Sequence, residues 1–412
     1  MREFTVLSII LFYIFTILTD CYILRDILSY CRYRKKAAVW SYSVSSVLFW
    51  GLVTVIAFWP AARESSSLIP LMWMIYTYFS VYVSKLLYVV FSAVGRLFRS
   101  KRKGRRVNYG VYAGIPLSLV AFIFMWWGAL FTRNEIVVEN VTVVSGRLPQ
   151  KFNGYRIVQF SDAHVGTWGN DTSFVSRLVD RINSLDPDLI VFTGDVVNRE
   201  TSEMEPFLSV LSRLKARDGV YSVLGNHDYG DDMDWSFPSE RDSNNALMRM
   251  WQRQIGWRML NNGHTFISRQ GDSIALIGVE NWGEPPFRQY GRLAEAYSGN
   301  SESASNLRDG RFKILLSHNP EHWNREVSKT TDIDLTLSGH THAMQMVFKI
   351  FGYEWSPSKW RYPQWKGMYE RVSEKGDTTR LYVNIGCGEV GIPARFGTAY
   401  PEITEITLKN RK

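Results

Sequence analysis

Cysteine is nearly missing from this chain, with three in 412 residues, at positions 21, 31 and 387. No pair has the spacing of a zinc site, and three are too few for a disulfide scaffold. Acidic residues are scarce at the start: residues 1–135 carry 16 Lys and Arg against 5 Asp and Glu. The rest carry 32 against 34, so the basic balance of the chain, net +9, belongs to its first third. This distribution speaks against nucleic acid as a partner, because a nucleic-acid binder carries its basic face on the folded domain. Internal repeats are also absent.

What the first third has instead is apolar length. Four stretches, 4–24, 38–59, 68–91 and 109–131, approach or exceed the roughly 20 residues needed to cross a bilayer. A cleaved signal peptide does not account for the first, which lacks a basic n-region and a small-residue cleavage site and is followed by three more. Arg25, Arg32, Arg34, Lys35 and Lys36 separate the first two spans, and Arg96, Arg99, Lys101, Arg102, Lys103, Arg105 and Arg106 the last two. The middle connection has only Arg63, offset by Glu64. Since Lys and Arg are retained in the cytoplasm, both basic connections are expected there, with the N-terminus and everything after the fourth span outside. The position of the 96–106 run between spans favours topology and anionic lipid over nucleic acid. Asp20 and Lys85 fall within span limits. Such charges can mark a transport path, but both sit toward an expected cytoplasmic end and are expected to snorkel to the interface.

After a strand at 135–144, the chain alternates strands at 155–160, 188–192 and 219–224 with helices at 172–184 and 202–216, which implies βαβ units and parallel pairing. A helix at 239–255 and two short strands across 264–279 follow, then a Gly/Ser/Asn-rich surface loop at 281–310. Strand 312–317, helix 319–328, strand 333–337 and strands near 380–386 and 402–408 complete the pattern.

Chemistry collects where these strands end. The clusters are Ser161-Asp162-Ala163-His164, Thr193-Gly194-Asp195, Gly225-Asn226-His227-Asp228, Ser317-His318-Asn319 and Gly339-His340-Thr341-His342. They hold five of the seven histidines of the chain, and strand ends are where α/β sheets build sites. In this order the clusters resemble the calcineurin-like metallophosphoesterases, and within them the membrane-associated YkuE-like branch. The resemblance covers roughly residues 138–408, including Asn384-Ile385-Gly386, Arg395-Phe396-Gly397 and Pro401-Glu402-Ile403. At one place the chain departs: relatives commonly follow the last motif with Gly-Gly-Gln, and here Ala343-Met344-Gln345 stands.

The resemblance implies an α/β fold, a metallophosphoesterase β-sandwich flanked by helices, preceded by an all-α four-span transmembrane domain, with the boundary at 134/135. It implies two metal ions, one held by Asp162, His164 and His342, the other by Asn226, His318 and His340, with Asp195 bridging. Mixed oxygen and nitrogen donors without Cys favour manganese or iron, with zinc as a third candidate, over calcium or magnesium. His227 is implied as general acid to the leaving oxygen and a metal-activated water as nucleophile. Asp228 is expected to orient the His227 ring and raise its pKa. Arg395 is expected either to contact phosphate or to form a structural salt bridge. His322, one helical turn beyond His318, and His264 are not ligands in the family pattern.

The expected reaction is hydrolysis of a phosphodiester or pyrophosphate linked to lipid, outside the cell membrane. Relatives include UDP-2,3-diacylglucosamine pyrophosphatases, whose cytoplasmic substrate conflicts with the orientation read from the basic connections. A tethered phosphodiesterase acting on soluble nucleotides or wall polymers is the competing enzyme. A non-catalytic metal-stabilised receptor or scaffold would lack a ligand or the acid, and none is missing. An insert at 344–369 holds eleven aromatic or Met residues among Lys349, Lys359, Arg361 and Lys366. It suits a membrane interface or an amphipathic anionic substrate, or it is a flap packed on the domain, and in each case it borders the site.

Overall fold

The computed structural model describes residues 6–31, 33–59, 68–98, 100–102, 105–285, 287–298, 307, 310–372 and 378–411. The chain forms two compact units, residues 1–130 with 391–394 and residues 131–390 with 395–412.

The first unit consists of α1 (Val6–Tyr30), α2 (Lys35–Ala57), α3 (Ile69–Leu97) and α4 (Tyr109–Leu130). A short hairpin, β1 (Ser100–Arg102) with β2 (Arg105–Val107), joins the last two helices. Lys35–Ala57, Ile69–Leu97 and Tyr109–Asn134 are each long and apolar enough to cross a membrane. Their outer surfaces carry Leu48, Val120 and Ile123, all more than half exposed, the reverse of a water-soluble helix and suited to lipid contact. Arg32, Arg99, residues 60–67 and residues 103–104, which enter the expected topology, lie outside the described residues.

Asp20 and Lys85 correct an expectation. They do not snorkel; they meet inside the bundle, Lys85 Nζ lying 2.7 Å from Asp20 Oδ1. The carboxylate, 3% exposed, also accepts hydrogen bonds from Tyr42 Oη (2.7 Å), Tyr82 Oη (2.8 Å) and Trp50 Nε1 (3.0 Å). In a low-dielectric surrounding a charge persists only when paired and hydrogen-bonded, and this constellation draws on three helices to do both. A second carboxylate, Asp26, pairs with Arg96 and accepts from Tyr88 Oη at 3.1 Å.

The second unit is a sandwich of two six-stranded sheets. One runs β3 (Val137–Ser145), β17 (Glu402–Asn410), β4 (Tyr155–Phe160), β5 (Leu189–Phe192), β6 (Val220–Ser222), β7 (Trp257–Met259). The other runs β14 (Gly367–Val372), β15 (Thr378–Val383), β11 (Leu335–Ser338), β10 (Lys313–Leu316), β9 (Asp272–Gly278), β8 (Gly263–Arg269). A small third sheet joins β13 (Tyr353–Trp355), β12 (Met346–Ile350) and β16 (Phe396–Gly397). Strands β4 to β7 pair in parallel, as do β9, β10, β11 and β15.

Alternation of side chains along each strand divides the apolar residues between layers. In β5, Leu189 and Val191 face the other sheet while Ile190 and Phe192 face helices. In β9, Ile274 and Leu276 enter the inter-sheet core and Ala275 and Ile277 the opposite face. Helix α5 (Ser173–Ser184) buries Phe174, Val175, Leu178, Val179 and Ile182, a single helical stripe. The helix expected over 202–216 is instead a 3-10 turn, Thr201–Phe207, followed by one α-turn, α6 (Leu208–Leu211). Pro206 lies inside it, where it lacks the N–H a continuous helix requires. Helix α7 (Pro238–Gln254) starts on a proline at its first turn, where a missing N–H costs nothing.

Candidate metal centre

Five parallel strands, three from one sheet and two from the other, end in the five polar clusters. Asp162 and His164 follow β4, Asp195 follows β5, Asn226 and His227 follow β6, His318 follows β10, and His340 and His342 follow β11. Asp162, His164 and His342 offer ligand atoms that converge within 4.8 Å of one another. So do Asp195, His318 and His340, and so do His164, Asp195 and His227. Asp195 therefore stands in two of the three groups: its Oδ2 lies 3.0 Å from His318 Nε2 and 3.8 Å from His164 Nε2.

The backbone is bent to achieve this. Asp162, His164, Asp195, His340 and His342 all have left-handed φ, between 40° and 74°. That region costs a residue with a Cβ about 1–2 kcal/mol, and such strain gathers at functional sites. Ala343 and Met344 continue it at φ 49° and 48°, so the chain keeps a turn suited to the family's Gly-Gly without the glycines. Two glycines are required by close approach. A Cβ on Gly225 would sit 2.2 Å from Asp195 Oδ1, and one on Gly339 would sit 2.2 Å from Asp162 Oδ2.

Main-chain oxygens fix two of the rings. His318 Nδ1 donates to the Thr193 carbonyl at 2.7 Å, which leaves Nε2 facing Asp195. His227 Nδ1 donates to the Asn198 carbonyl at 2.6 Å. His340 Nε2 contacts Tyr362 Oη at 2.9 Å, and its Nδ1 lies 3.3 Å from His318 Nε2. Partners of this kind orient metal-ligating imidazoles. No residue-type pattern pointed to Thr193 or Asn198, because the acceptor is backbone, and Tyr362 was legible only as one aromatic of the insert.

Whether these residues fit an ion is decided by atoms left over. Asn226 Oδ1, His164 Nδ1 and His342 Nδ1 are buried without a hydrogen-bond partner, and buried polar atoms ordinarily have one. His164 Nε2 and His342 Nε2 face each other at 3.1 Å. Burial opposes charge on Asp162, but His342 and then His318 hold its carboxyl well below the usual range. Burial likewise opposes charge on Asp195, and His318 and His227 hold it well below. Despite burial, the Asp195 carboxylate pushes His318 up to about 9. Burial, and then His318, push His340 down to about 3. Two buried carboxylates surrounded by imidazoles form a donor set for cations, whose binding would release the His318 proton.

Asp228 and Arg395 both make their hydrogen bonds to the main chain. The Asp228 carboxylate is committed to main-chain N–H groups of Asp195 (2.8 Å), Val196 (2.8 Å), Val197 (3.3 Å) and Gly225 (2.9 Å). It ties the β5 and β6 ends together, and the Asn198 carbonyl orients His227 in its place. Arg395 is fully buried. Its guanidinium donates to the carbonyls of Gly386 (3.0 Å), Ile385 (3.3 Å) and Ala399 (3.2 Å), and to Gly388, so it staples the C-terminal loops rather than reaching phosphate. His322 lies outside the convergent groups, with Nδ1 on Ser317 Oγ at 2.8 Å and its ring stacked on Trp282. His264 Nδ1 donates to the Ala296 carbonyl at 2.8 Å.

Residues 155–344 match the family described as Calcineurin-like phosphoesterase. Residues 2–133 match one described as Probable Calcineurin-like phosphoesterase, transmembrane domain. The chain is 30% identical over 342 residues to the Transmembrane protein with metallophosphoesterase domain of Danio rerio, covering 80% of this chain and 71% of that protein. It is 33% identical over 276 residues to the Uncharacterized metallophosphoesterase YkuE of Bacillus subtilis (strain 168), covering 65% and 84%. A shorter match, 37% over 127 residues, covers 30% of this chain and 38% of the UDP-2,3-diacylglucosamine pyrophosphatase LpxG of Chlamydia trachomatis. The chain belongs to the calcineurin-like metallophosphoesterases that carry an N-terminal transmembrane domain.

Proposed function

We propose that this protein is a membrane-anchored two-metal phosphoesterase that hydrolyses a phosphodiester or pyrophosphate bond of a lipid-linked substrate. The observation that carries the reading is a chain of convergent groups: Asp162, His164 and His342 at one end, Asp195, His318 and His340 at the other, with Asp195 also converging on His164. Asp162, His164 and His342 would hold one ion, Asn226, His318 and His340 the other, with Asp195 serving both. The donor set suits manganese or iron first and zinc next. When bound, such ions neutralise phosphoryl oxygens and lower the pKa of the attacking water.

The remaining work falls to the chain itself. His227, part-buried, with its Nδ1–H on the Asn198 carbonyl, carries on Nε2 the proton that the leaving oxygen takes. The Asp195 side chain accepts the His227 main-chain N–H at 2.8 Å through Oδ1, which ties the acid to the carboxylate common to two of those groups. Asp228 holds the two loops in register.

Residues 1–134 would serve as membrane domain and 135–412 as catalytic domain, the latter outside the cell membrane if the basic connections are cytoplasmic. The membrane domain favours substrates that reside in a bilayer, and the pyrophosphatase among the relatives acts on a diacylated sugar nucleotide. The test is metal-dependent hydrolysis of bis-p-nitrophenyl phosphate by the full-length protein beside Asn226→Ala, followed by lipid-linked pyrophosphates. Activity that requires manganese or iron and is lost in the variant supports the reading. Equal turnover of soluble esters and lipid-linked substrates would sink its lipid half.

A further inference from the structure

The insert after His342 has two halves with opposite character. Its inner half is packed: Val347, Trp365 and Ala343 bury against Ile385 and Ala399, and Tyr362 reaches His340. Its outer half is a bare hairpin. Strands β12 and β13 pair Phe348 with Trp355 and Ile350 with Tyr353, so these four share one face. Trp355 meets Phe348 on one side and Trp360 on the other. Ile350 is 59% exposed, Tyr353 58% and Trp360 80%.

The tip is the least expected part. Phe351 and Gly352 form the two-residue turn, with φ of 50° and 85°. A hairpin turn with both central residues left-handed favours Asn-Gly or Asp-Gly, and an aromatic side chain there is strained. Phe351 is nevertheless fully exposed, so the fold gains no packing from it. Beside it on the hairpin stands exposed Lys349, and exposed Lys359 donates to Tyr353 Oη at 2.6 Å; Arg361 is turned away to Glu284, 3.3 Å distant.

We propose that this hairpin tip is a membrane-docking element that enters the headgroup–acyl boundary of an anionic bilayer. Phe351 and Ile350 go into the acyl edge, Tyr353 and Trp360 lie at headgroup level, and Lys349 and Lys359 meet lipid phosphates. Apolar and aromatic residues ringed by lysines are the composition that binds this boundary, and the basic residues supply the complement to anionic lipid. Because the same insert delivers Tyr362 to His340, docking would seat the metal centre at the leaflet surface. The proposal goes beyond the hydrolytic reading and does not depend on it.

The test uses the full-length protein in nanodiscs of equal parts phosphatidylcholine and phosphatidylglycerol. A nitroxide is attached at Phe351→Cys, or separately at Tyr353→Cys, in a background with Cys21 and Cys31 replaced by Ser. Exposed Ser209, changed to Cys, is the reference. The expected result is a severalfold higher ratio of oxygen to water-soluble nickel accessibility at 351 and 353 than at 209. It should fall when Lys349→Glu and Lys359→Glu are combined or the lipid is all phosphatidylcholine. Ratios at both positions equal to that at 209 would overturn the proposal. So would protection that appears only on adding a lipid-linked substrate, which would make the tip a substrate subsite. Dipolar broadening between labels would overturn it in favour of a second copy of the chain.

Discussion

The Nδ1–H of His227 points at the main-chain oxygen of Asn198, 2.6 Å away. A carbonyl oxygen only accepts, so this contact fixes the tautomer and leaves Nε2 as the working nitrogen. General acids matter in proportion to how poor the leaving group is. His227→Ala should lower kcat by ~10²–10⁴ for an alkyl phosphodiester and by much less for a p-nitrophenyl ester, whose leaving group needs little protonation. Equal losses on both substrates would assign His227 to binding or structure.

Asp228 should behave as a structural residue. Asp228→Ala strands four buried N–H groups, each costing about 1–3 kcal/mol when left unsatisfied. It should lower the melting temperature and the metal content together. The activity that remains should keep the pH profile of the parent, because the variant leaves the His227–Asn198 contact in place.

Metal content should split by ligand. Loss of Asn226 or His318 is expected to remove one of two ions per chain, and Asp195→Ala to remove both, by elemental analysis of the purified full-length protein. Chelation should lower the melting temperature. At free metal near 100 times Kd, binding to the folded state alone contributes about 2.7 kcal/mol. Asn226→Ala retaining both ions would contradict the ligand assignment.

Within the bundle, Lys85→Met leaves Asp20 without its cation. Breaking one partner of a buried pair costs about 3–5 kcal/mol, whereas replacing both with apolar or neutral groups is often neutral. Thermal unfolding in detergent should show a large loss for Lys85→Met and substantial recovery in Asp20→Asn/Lys85→Met. No recovery in the double variant would mean that Asp20 serves its tyrosine and tryptophan donors rather than Lys85.

Glu402 gives the pH dependence a sign. It is buried beside Tyr382 Oη (2.9 Å) and Thr404 Oγ1 (3.0 Å), and burial pushes its carboxyl up to about 7. The folded state therefore holds a proton that the unfolded chain has released, and stability falls as pH rises from the usual glutamate value through about 7. Glu402→Gln removes that slope. Its advantage over the parent should be absent in acid, grow across this window and level off above it, reaching up to about 3 kcal/mol on the scale of 1.36 kcal/mol per unit. Parallel stability–pH curves for parent and variant would contradict it.

Much of this was legible beforehand because it depends on residue type and period. Strands β5 and β9 announce two buried faces by continuous apolar runs, and ligand side chains announce themselves by following such runs. What was hidden depends on the main chain or on distant partners. Thr193 and Asn198 act through carbonyls that every residue possesses. Asp20 and Lys85 are 65 residues apart, and neither alone reveals that the other, with Tyr42 and Tyr82, completes its shell. Arg395 has the chemistry of a phosphate contact, and only its burial among loop carbonyls reassigns it.

The two sheets send their ligands to the same place. Asp162, Asp195 and Asn226 stand at the edge of one, His318, His340 and His342 at the edge of the other. A bound ion would be a clasp across the seam of the sandwich, closed only once both sheets have formed and docked. Such a late contact contributes little while the chain is folding and must be undone before it can unfold. The ions would therefore lengthen the lifetime of the folded enzyme more than they hasten its formation.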